Sequence, residues 1–416
     1  MLAFGFPGAM QHITLQCIRD TAANRTSVML LSRDRILTTH VGSLPRNPAL
    51  TDLLVRREGG ERIDAATLAA EMDKAVADVV ARQHAAGIDI GNDGEQQRVG
   101  FQTYVPERMS GFGGESNRPR PRDLNEFPEI AEMQRLRFPN RSRNRNAPQA
   151  VAEVKYLGTA AIEAELARVK RHSEGKFAET FMTAASPGII ATTMINAYYD
   201  SYEAYLSALA REMKAEYRAI HDAGLILQID APDLAMSRTV NFQNQSDTEF
   251  QKICALQVDA INKGIDGIPR DRVRLHCCWG NYDGPHLHDI ALEKVLPILV
   301  NARVGALSIE FANPRHAHEY DVLRRIPLPK DMILIPGVIE STSNIVEHPE
   351  VVARRIEEAV AAVGDRERVI ASTDCGFGTF AGREYVVSQV VWRKFESLRA
   401  GADIASARLW GAKSVA

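Results

Sequence analysis

His276, Cys278, Glu310 and Cys375 are residue types that bind zinc, and each stands at or just past the end of a short apolar, β-rich run. Structural zinc sites usually draw paired cysteines from short Cys-x-x-Cys loops, whereas ligands gathered from separate segments resemble a catalytic site with an exchangeable position. His276 and Cys278 are two residues apart on an expected strand, so their side chains project to one side while Cys277 projects to the other. The chemistry such a set supplies is thiol activation. A free thiol, with a pKa of about 8.5, is mostly protonated at neutral pH, and bound zinc deprotonates it. Two thiolates and a carboxylate more than balance the charge of Zn2+, so a further sulfur held there keeps its electron density and can attack carbon. Glu310 is expected to be the weakest ligand, loosening when the substrate thiol binds. Taken singly, each residue also fits an ordinary buried cysteine or hydrogen-bonded polar group. Their joint placement points to a metal.

The elements that must position these residues alternate short apolar runs with longer amphipathic ones. Eight strands are expected, near 36–41, 88–92, 181–185, 225–230, 273–278, 306–311, 332–338 and 369–373. Helices are expected between them, near 65–86, 160–172, 202–223, 247–263, 291–300, 349–363 and, after the last strand, 384–398. This rhythm predicts an α/β protein, a (β/α)8 barrel, whose functional groups sit at the C-terminal ends of the strands. An open doubly wound sheet fits less well, because no Gly-x-Gly-x-x-Gly turn follows the first strand. Ser43, Glu95 and Asp230 also fall at strand ends. One segment, 104–158, breaks the rhythm after the second strand and is rich in arginine, proline and asparagine. It is either a solvated insertion or a lid or oligomer arm that brings an arginine to an anionic substrate.

Composition sets the class. With 416 residues, a formal charge of -3 and 45% hydrophobic residues, the chain is expected to be a cytoplasmic enzyme of small-molecule chemistry, with no nucleic-acid partner. No apolar run approaches the roughly 20 residues that span a bilayer. Five cysteines, at 17, 254, 277, 278 and 375, are too few and too irregularly spaced for a disulfide framework. Residues 1–32 lack the basic start of a signal peptide and are expected to form a disordered extension, leaving 33–416 as one catalytic domain.

From about Ile36 onward the chain resembles the cobalamin-independent methionine synthases, specifically their C-terminal catalytic barrel. The resemblance rests on Thr39-His40-Val41-Gly42-Ser43-Leu44-Pro45-Arg46, on Gly94-Glu95, on Ile229-Asp230, and on His276, Cys278, Glu310 and Cys375, which fall on the family's zinc ligands. It implies that the segment around Ser43 holds the acidic end of the thiol substrate and that Glu95 and Asp230 bind the homocysteine amine. The stretches 181–188 and 278–285 look closer to the single-barrel branch that includes epoxyalkane:coenzyme M transferase, which opens an epoxide with a thiolate. Two positions depart from true methionine synthases. No tryptophan follows Ser186-Pro187, where a folate-stacking residue is expected, and Thr342 stands near the place of the family's proton-donating histidine. Glu340, His286 and His288 are therefore the candidates for protonating the leaving group, against the alternative for the histidines of ordinary loop positions. The implied partners are a small thiol and an alkyl donor, either methyl-folate, a methyl-corrinoid protein or an epoxide. The alternatives of another class are a docking partner for a corrinoid protein and a protein with purely structural zinc.

Overall fold

The strands are short and buried on both faces, as parallel strands covered by helices must be. In this computed structural model, which describes residues 28–142 and 146–411, eight of them make one parallel sheet. In chain order the strands are β1 (Leu37–Thr38), β2 (Ile90–Gly91), β3 (Met109–Gly113), β4 (Gln149–Tyr156), β5 (Glu179–Ala185), β6 (Ile226–Asp230), β7 (Val273–Cys277), β8 (Ala306–Glu310), β9 (Ile333–Ile339) and β10 (Ile370–Thr373). The sheet runs β1-β10-β9-β8-β7-β6-β5-β2, and a bridge between Thr39 and Ile90 closes it. The fold is a (β/α)8 barrel. Residues 31–411 form one compact unit. The expected extension at 1–32 and the arginines Arg143 and Arg145 fall largely or wholly outside the described residues. Ser32, within them, is buried and hydrogen-bonds the carbonyl of Val369 at 2.6 Å. Among the described residues no helix is long and apolar enough to cross a membrane.

Period-2 alternation sorts each strand. On β7, Leu275 and Cys277 join the apolar layer between barrel and helices, while Arg274 and His276 occupy the alternate positions. On β6, Leu227 and Ile229 belong to that same layer, and Gln228 and Asp230 alternate with them. The register sets Ala185, Asp230 and His276 level across β5, β6 and β7. The helices begin where the sequence caps them: Asp64 accepts from Thr67 N–H ahead of Ala65–Ala85, and Ser246 and Glu249 form a reciprocal capping box ahead of Asp247–Gly264. The last helix spans Ser388–Trp410, starting later and running further than the expected 384–398. Gly401 does not break it, because the missing side chain lets the helix press against Val352 of Pro349–Val363.

The insertion at 104–158 is not a solvated loop. It folds into the antiparallel pair β3–β4 and two short helices, Arg122–Glu126 and Pro128–Arg137. It hydrogen-bonds the loops that follow three barrel strands: Arg122 N–H to Thr239 O, Gln134 Nε2 to Asp283 O, and Ser142 N–H to Ala381 O. The segment therefore lies across the C-terminal mouth. Its root is a buried charged lattice. Arg98 donates to Glu165 and to Thr183 O, and Arg108 pairs with both Glu165 and Glu216. Glu216 also accepts from Tyr104 and Tyr156, at 2.5 and 2.7 Å, and both guanidinium groups stack on the Tyr104 ring.

Removing one partner from such a lattice strands the others without water. Glu216→Ala is expected to lower unfolding free energy by about 3–5 kcal/mol, read from the urea midpoint at unchanged slope. A loss below about 1 kcal/mol, the size of an exposed ion pair, would show that the lattice is not what anchors the insertion.

Candidate functional site

At the C-terminal end of the barrel the chain turns sharply out of β1. Gly42 has φ +149, and a Cβ there would come within 2.8 Å of Glu95 Oε1, so glycine makes room for the carboxylate. Glu95 itself sits at φ +54, a conformation uncommon for a residue with a side chain and often found at functional sites. Ser43 is buried against Gly376, where a Cβ would collide with its hydroxyl, and its carbonyl accepts from Phe377 N–H. These contacts draw the β1, β2 and β10 ends together around one cavity of about 980 Å³. Its inner end is lined by Ser43, Glu95, Asp230, His276, Cys278 and Cys375.

His276, Cys278 and Cys375 offer ligand atoms that all lie within 4.8 Å of one another, with His276 Nε2 3.8 Å from Cys375 Sγ. Around a tetrahedral zinc, with Zn–S near 2.3 Å and Zn–N near 2.0 Å, ligand atoms sit about 3.5 Å apart. The three residues fit such an ion. Burial, aided by Arg274, lowers the His276 pKa to about 3, so the imidazole is neutral and its lone pair is available. The contact with Cys375, then burial, raises the Cys278 thiol well above its ordinary range. The pair lacks a positive charge that a cation would supply. Cys277, by contrast, lies in the apolar layer outside the barrel.

Glu310 stands apart from the three. Its Oε1 accepts from Trp279 N–H at 2.6 Å and its Oε2 from Asn313 Nδ2 at 3.3 Å. Burial raises its carboxyl, while His316 and His286 behind it pull the other way. Those histidines flank Asp289: its Oδ2 lies 2.7 Å from His286 Nδ1 and 3.0 Å from His316 Nε2. His316 stacks on Trp279 at 3.7 Å.

The two inner carboxylates are built differently. Asp230 Oδ1 accepts from Gln228 Nε2 at 2.7 Å, and Gln228 in turn accepts from the buried Arg274 at 2.6 Å. Arg274 also donates to Thr39 Oγ1 and to His40 O and lies over the Phe181 ring. Among the described residues Glu95 Oε2 has no hydrogen-bond partner. Burial raises both carboxyl groups, and the charge of Glu95 raises Asp230 further. Two desolvated acids with an unused acceptor suit an ammonium ion.

The three residues expected to deliver a proton do not line this cavity. The Glu340 carboxylate accepts from Thr342 and Ser343 N–H, at 2.5 and 2.7 Å. Burial pushes its pKa up, but these hydrogen bonds outweigh burial and hold it low, so it caps a turn. Both ring nitrogens of His286 are engaged, by Asp289 and by Tyr282 O, and His288 pairs with Glu126 at 2.5 Å. Sequence reasoning missed Gln228 and Arg274. Their signal was present, as polar residues two positions before Asp230 and His276 on the same strands. It also missed Asn281, which ties Gly376 O, Thr379 and Ser341 together and carried no such signal.

The sequence model of the family described as cobalamin-independent synthase, catalytic domain, matches residues 36–118 and 181–392. A methionine synthase of Thermococcus kodakarensis is 26% identical over 343 residues, 82% of this chain and 86% of that protein. The 2-hydroxypropyl-CoM lyase of Xanthobacter autotrophicus is 25% identical over 409 residues, 92% of this chain and 98% of that protein. Among solved structures, a B12-independent methionine synthase from Shewanella sp. W3-18-1 in complex with selenomethionine superposes with a TM-score of 0.69 at 20% identity, over 90% of this chain and 99% of that one.

The Glu95 carboxyl, pushed up to about 7 by burial against the opposing charges of Arg98 and Arg46, makes a stability prediction. A carboxyl whose pKa is higher folded than unfolded contributes fully below its ordinary value and loses that contribution as pH rises through its folded value. Glu95→Gln does not titrate. Its stability is therefore expected to gain on that of the native protein between about pH 5 and 8, by on the order of 3 kcal/mol. Thermal melts with the same pH dependence in both proteins would contradict this assignment.

Proposed function

The chain belongs to the cobalamin-independent synthase catalytic-domain family, and from that premise we propose that it is a zinc-dependent thiol S-alkyltransferase, specifically a methyltransferase acting on homocysteine. The observation that carries this reading is the meeting of His276, Cys278 and Cys375 at the inner end of the cavity that Glu95 and Asp230 also line. Zinc held by these three residues supplies the positive charge that keeps a thiol sulfur ionised at neutral pH.

The chain's own residues do the rest. His276 binds as the neutral imidazole, and Ser308 Oγ, 3.4 Å from Nδ1, orients its ring. Glu310 would join His276, Cys278 and Cys375 in holding zinc, and its carboxylate has an alternative rest on Trp279 N–H and Asn313 Nδ2. Glu95 and Asp230 bind the substrate amine: burial raises both carboxyl groups and the charge of Glu95 raises Asp230 further, a cost that an ammonium between them relieves. Ser43 stands at the acidic end of the aminothiol. Glu340, His286 and His288 are given no part in this scheme, because none of them lines the cavity. A purely structural zinc fits poorly, since the three ligands line an open cavity of about 980 Å³.

A second reading, addition of the thiol to an epoxide, is favoured by the similarity to 2-hydroxypropyl-CoM lyase over 98% of that protein's length. The acid pair favours an aminothiol over a sulfonated one, so the first reading stands ahead.

The test is metal content followed by zinc-edge absorption with homocysteine and coenzyme M side by side. One zinc per chain is expected, with affinity falling about 100-fold or more in Cys278→Ser and in Cys375→Ser. Homocysteine is expected to add a sulfur to the zinc shell and displace an oxygen. A sulfur gained only from coenzyme M would move the assignment to epoxide opening, and a shell indifferent to both thiols would overturn the proposal.

A further inference from the structure

The cavity is far larger than a four-carbon aminothiol needs, and its two ends differ in charge. The inner end carries Glu95 and Asp230. The outer end is walled by five arginines, Arg118, Arg120, Arg135, Arg141 and Arg383, against two glutamates, Glu115 and Glu132. Glu132 is neutralised by Arg135 in a two-pronged pair at 2.6 and 2.7 Å, which removes both from the balance. Arg120, Arg141 and Arg383 then face the cavity with Glu115, and Arg118 lines it beside them.

Among the described residues, Arg141 and Arg383 are held by neutral oxygens and not by carboxylates. Arg383 donates to Gln134 Oε1 at 3.3 Å and to the Tyr385 hydroxyl at 2.8 Å from Nη2 and 3.2 Å from Nε. Arg141 donates to the carbonyls of Gln134 and Phe138, at 3.0 and 3.3 Å. Tyr385 is fixed in turn by the Phe138 ring, 5.1 Å away edge to face. These contacts orient the guanidinium groups without cancelling their charge, which is the arrangement that recognises an oxyanion. The cations also feel one another. Burial lowers the Arg118 pKa to about 10 with Arg383 adding to the effect, and Arg141 is lowered by burial and then by Arg383. Converging like charges in a half-dry site is costly unless an anion joins them.

We propose that the outer end of this cavity is an oxyanion subsite, formed by Arg141 and Arg383 with Arg118 and Arg120 beside them, that grips a carboxylate, phosphate or sulfonate group on the alkyl donor. The proposal rests on the reading of the inner end as the thiol site, because only then is the outer end left to the second substrate. The donor lies with its reactive carbon toward Cys278 and Cys375 and its anionic end between the insertion and the loop after β10. Gln134, Phe138 and Arg141 lie in the stretch between 118 and 181 that the family's sequence model does not match. The donor specificity of this chain therefore differs from what the matched barrel alone would dictate.

The experiment is calorimetric titration of the zinc-loaded full chain, without thiol, by glutarate, methyl phosphate and ethanesulfonate, with neutral glutaramide as control. Saturable one-site binding of at least one anion is expected, weakened by added salt, with glutaramide at least about tenfold weaker. The anion that binds most tightly identifies the charged group of the donor. The double variant Arg141→Gln, Arg383→Gln is expected to lose about tenfold or more of that affinity, while Arg383→Lys, which keeps the charge, loses less. Zinc stoichiometry and the homocysteine response at the zinc edge report on folding and on the inner end independently. No saturable anion binding, or binding equal in the double variant because the anion sits on the metal, overturns the subsite even if homocysteine still reaches zinc. Anion binding with no thiol response leaves the subsite standing and removes the thiol assignment.

Discussion

Two buried arginines and two buried glutamates, wrapped round the Tyr104 ring, hold the site side of this barrel together. Four charges out of water are tolerable only if each is satisfied in place, so the lattice has little freedom to shift. It joins the loop after β2, both ends of the insertion and two barrel helices, Ala160–Ser173 and Tyr202–Asp222. Arg98 continues it to the carbonyl of Thr183 on β5, beside Glu95. The strained φ of Glu95 and the roof over the mouth thus rest on the same anchor.

Below the cavity floor, the barrel interior carries a second polar column. Arg274, Gln228 and Asp230 pass hydrogen bonds upward from the interior to the cavity-facing carboxylate. The guanidinium is stacked on Phe181 and burial lowers its pKa to about 9, which shows how dry this column is. A carboxylate carried on such a support cannot swing away, so Asp230 is held by the strands, while Glu95 across from it is held by the turn after β2.

Glu310 illustrates how a carboxylate can be near the three metal-type residues and yet held back from them. Its carboxylate rests on a backbone N–H contributed by Trp279, the residue directly after Cys278. Trp279 is itself clamped between His316 and the carbonyl of Ile290. An oxygen with an alternative resting place close by can exchange at low cost.

The eight barrel strands, their order along the chain and the identity of the metal-type residues were legible from local pattern, because period-2 alternation and strand-end placement are properties of short segments; the β3–β4 pair within the insertion was not. Parity alone separated Cys278 from Cys277, and the two fall respectively on the cavity and in the outer layer. Proton-donor candidates were not legible. Glu340, His286 and His288 lie a few residues past strand ends, but whether such a group faces the cavity depends on loop partners, here Thr342, Asp289 and Glu126, that proximity in sequence does not reveal. The insertion was likewise ambiguous, since arginines among prolines and asparagines compose a solvated loop as readily as a wall. Sequence by itself determined the barrel and the chemical types at its mouth; only the tertiary structure decided which of them meet. The reason is that closing a barrel brings residues from 41 to 383 into one cavity, and the long-range contacts that orient them, Arg98 to Glu165 or Arg383 to Gln134, have no local signature.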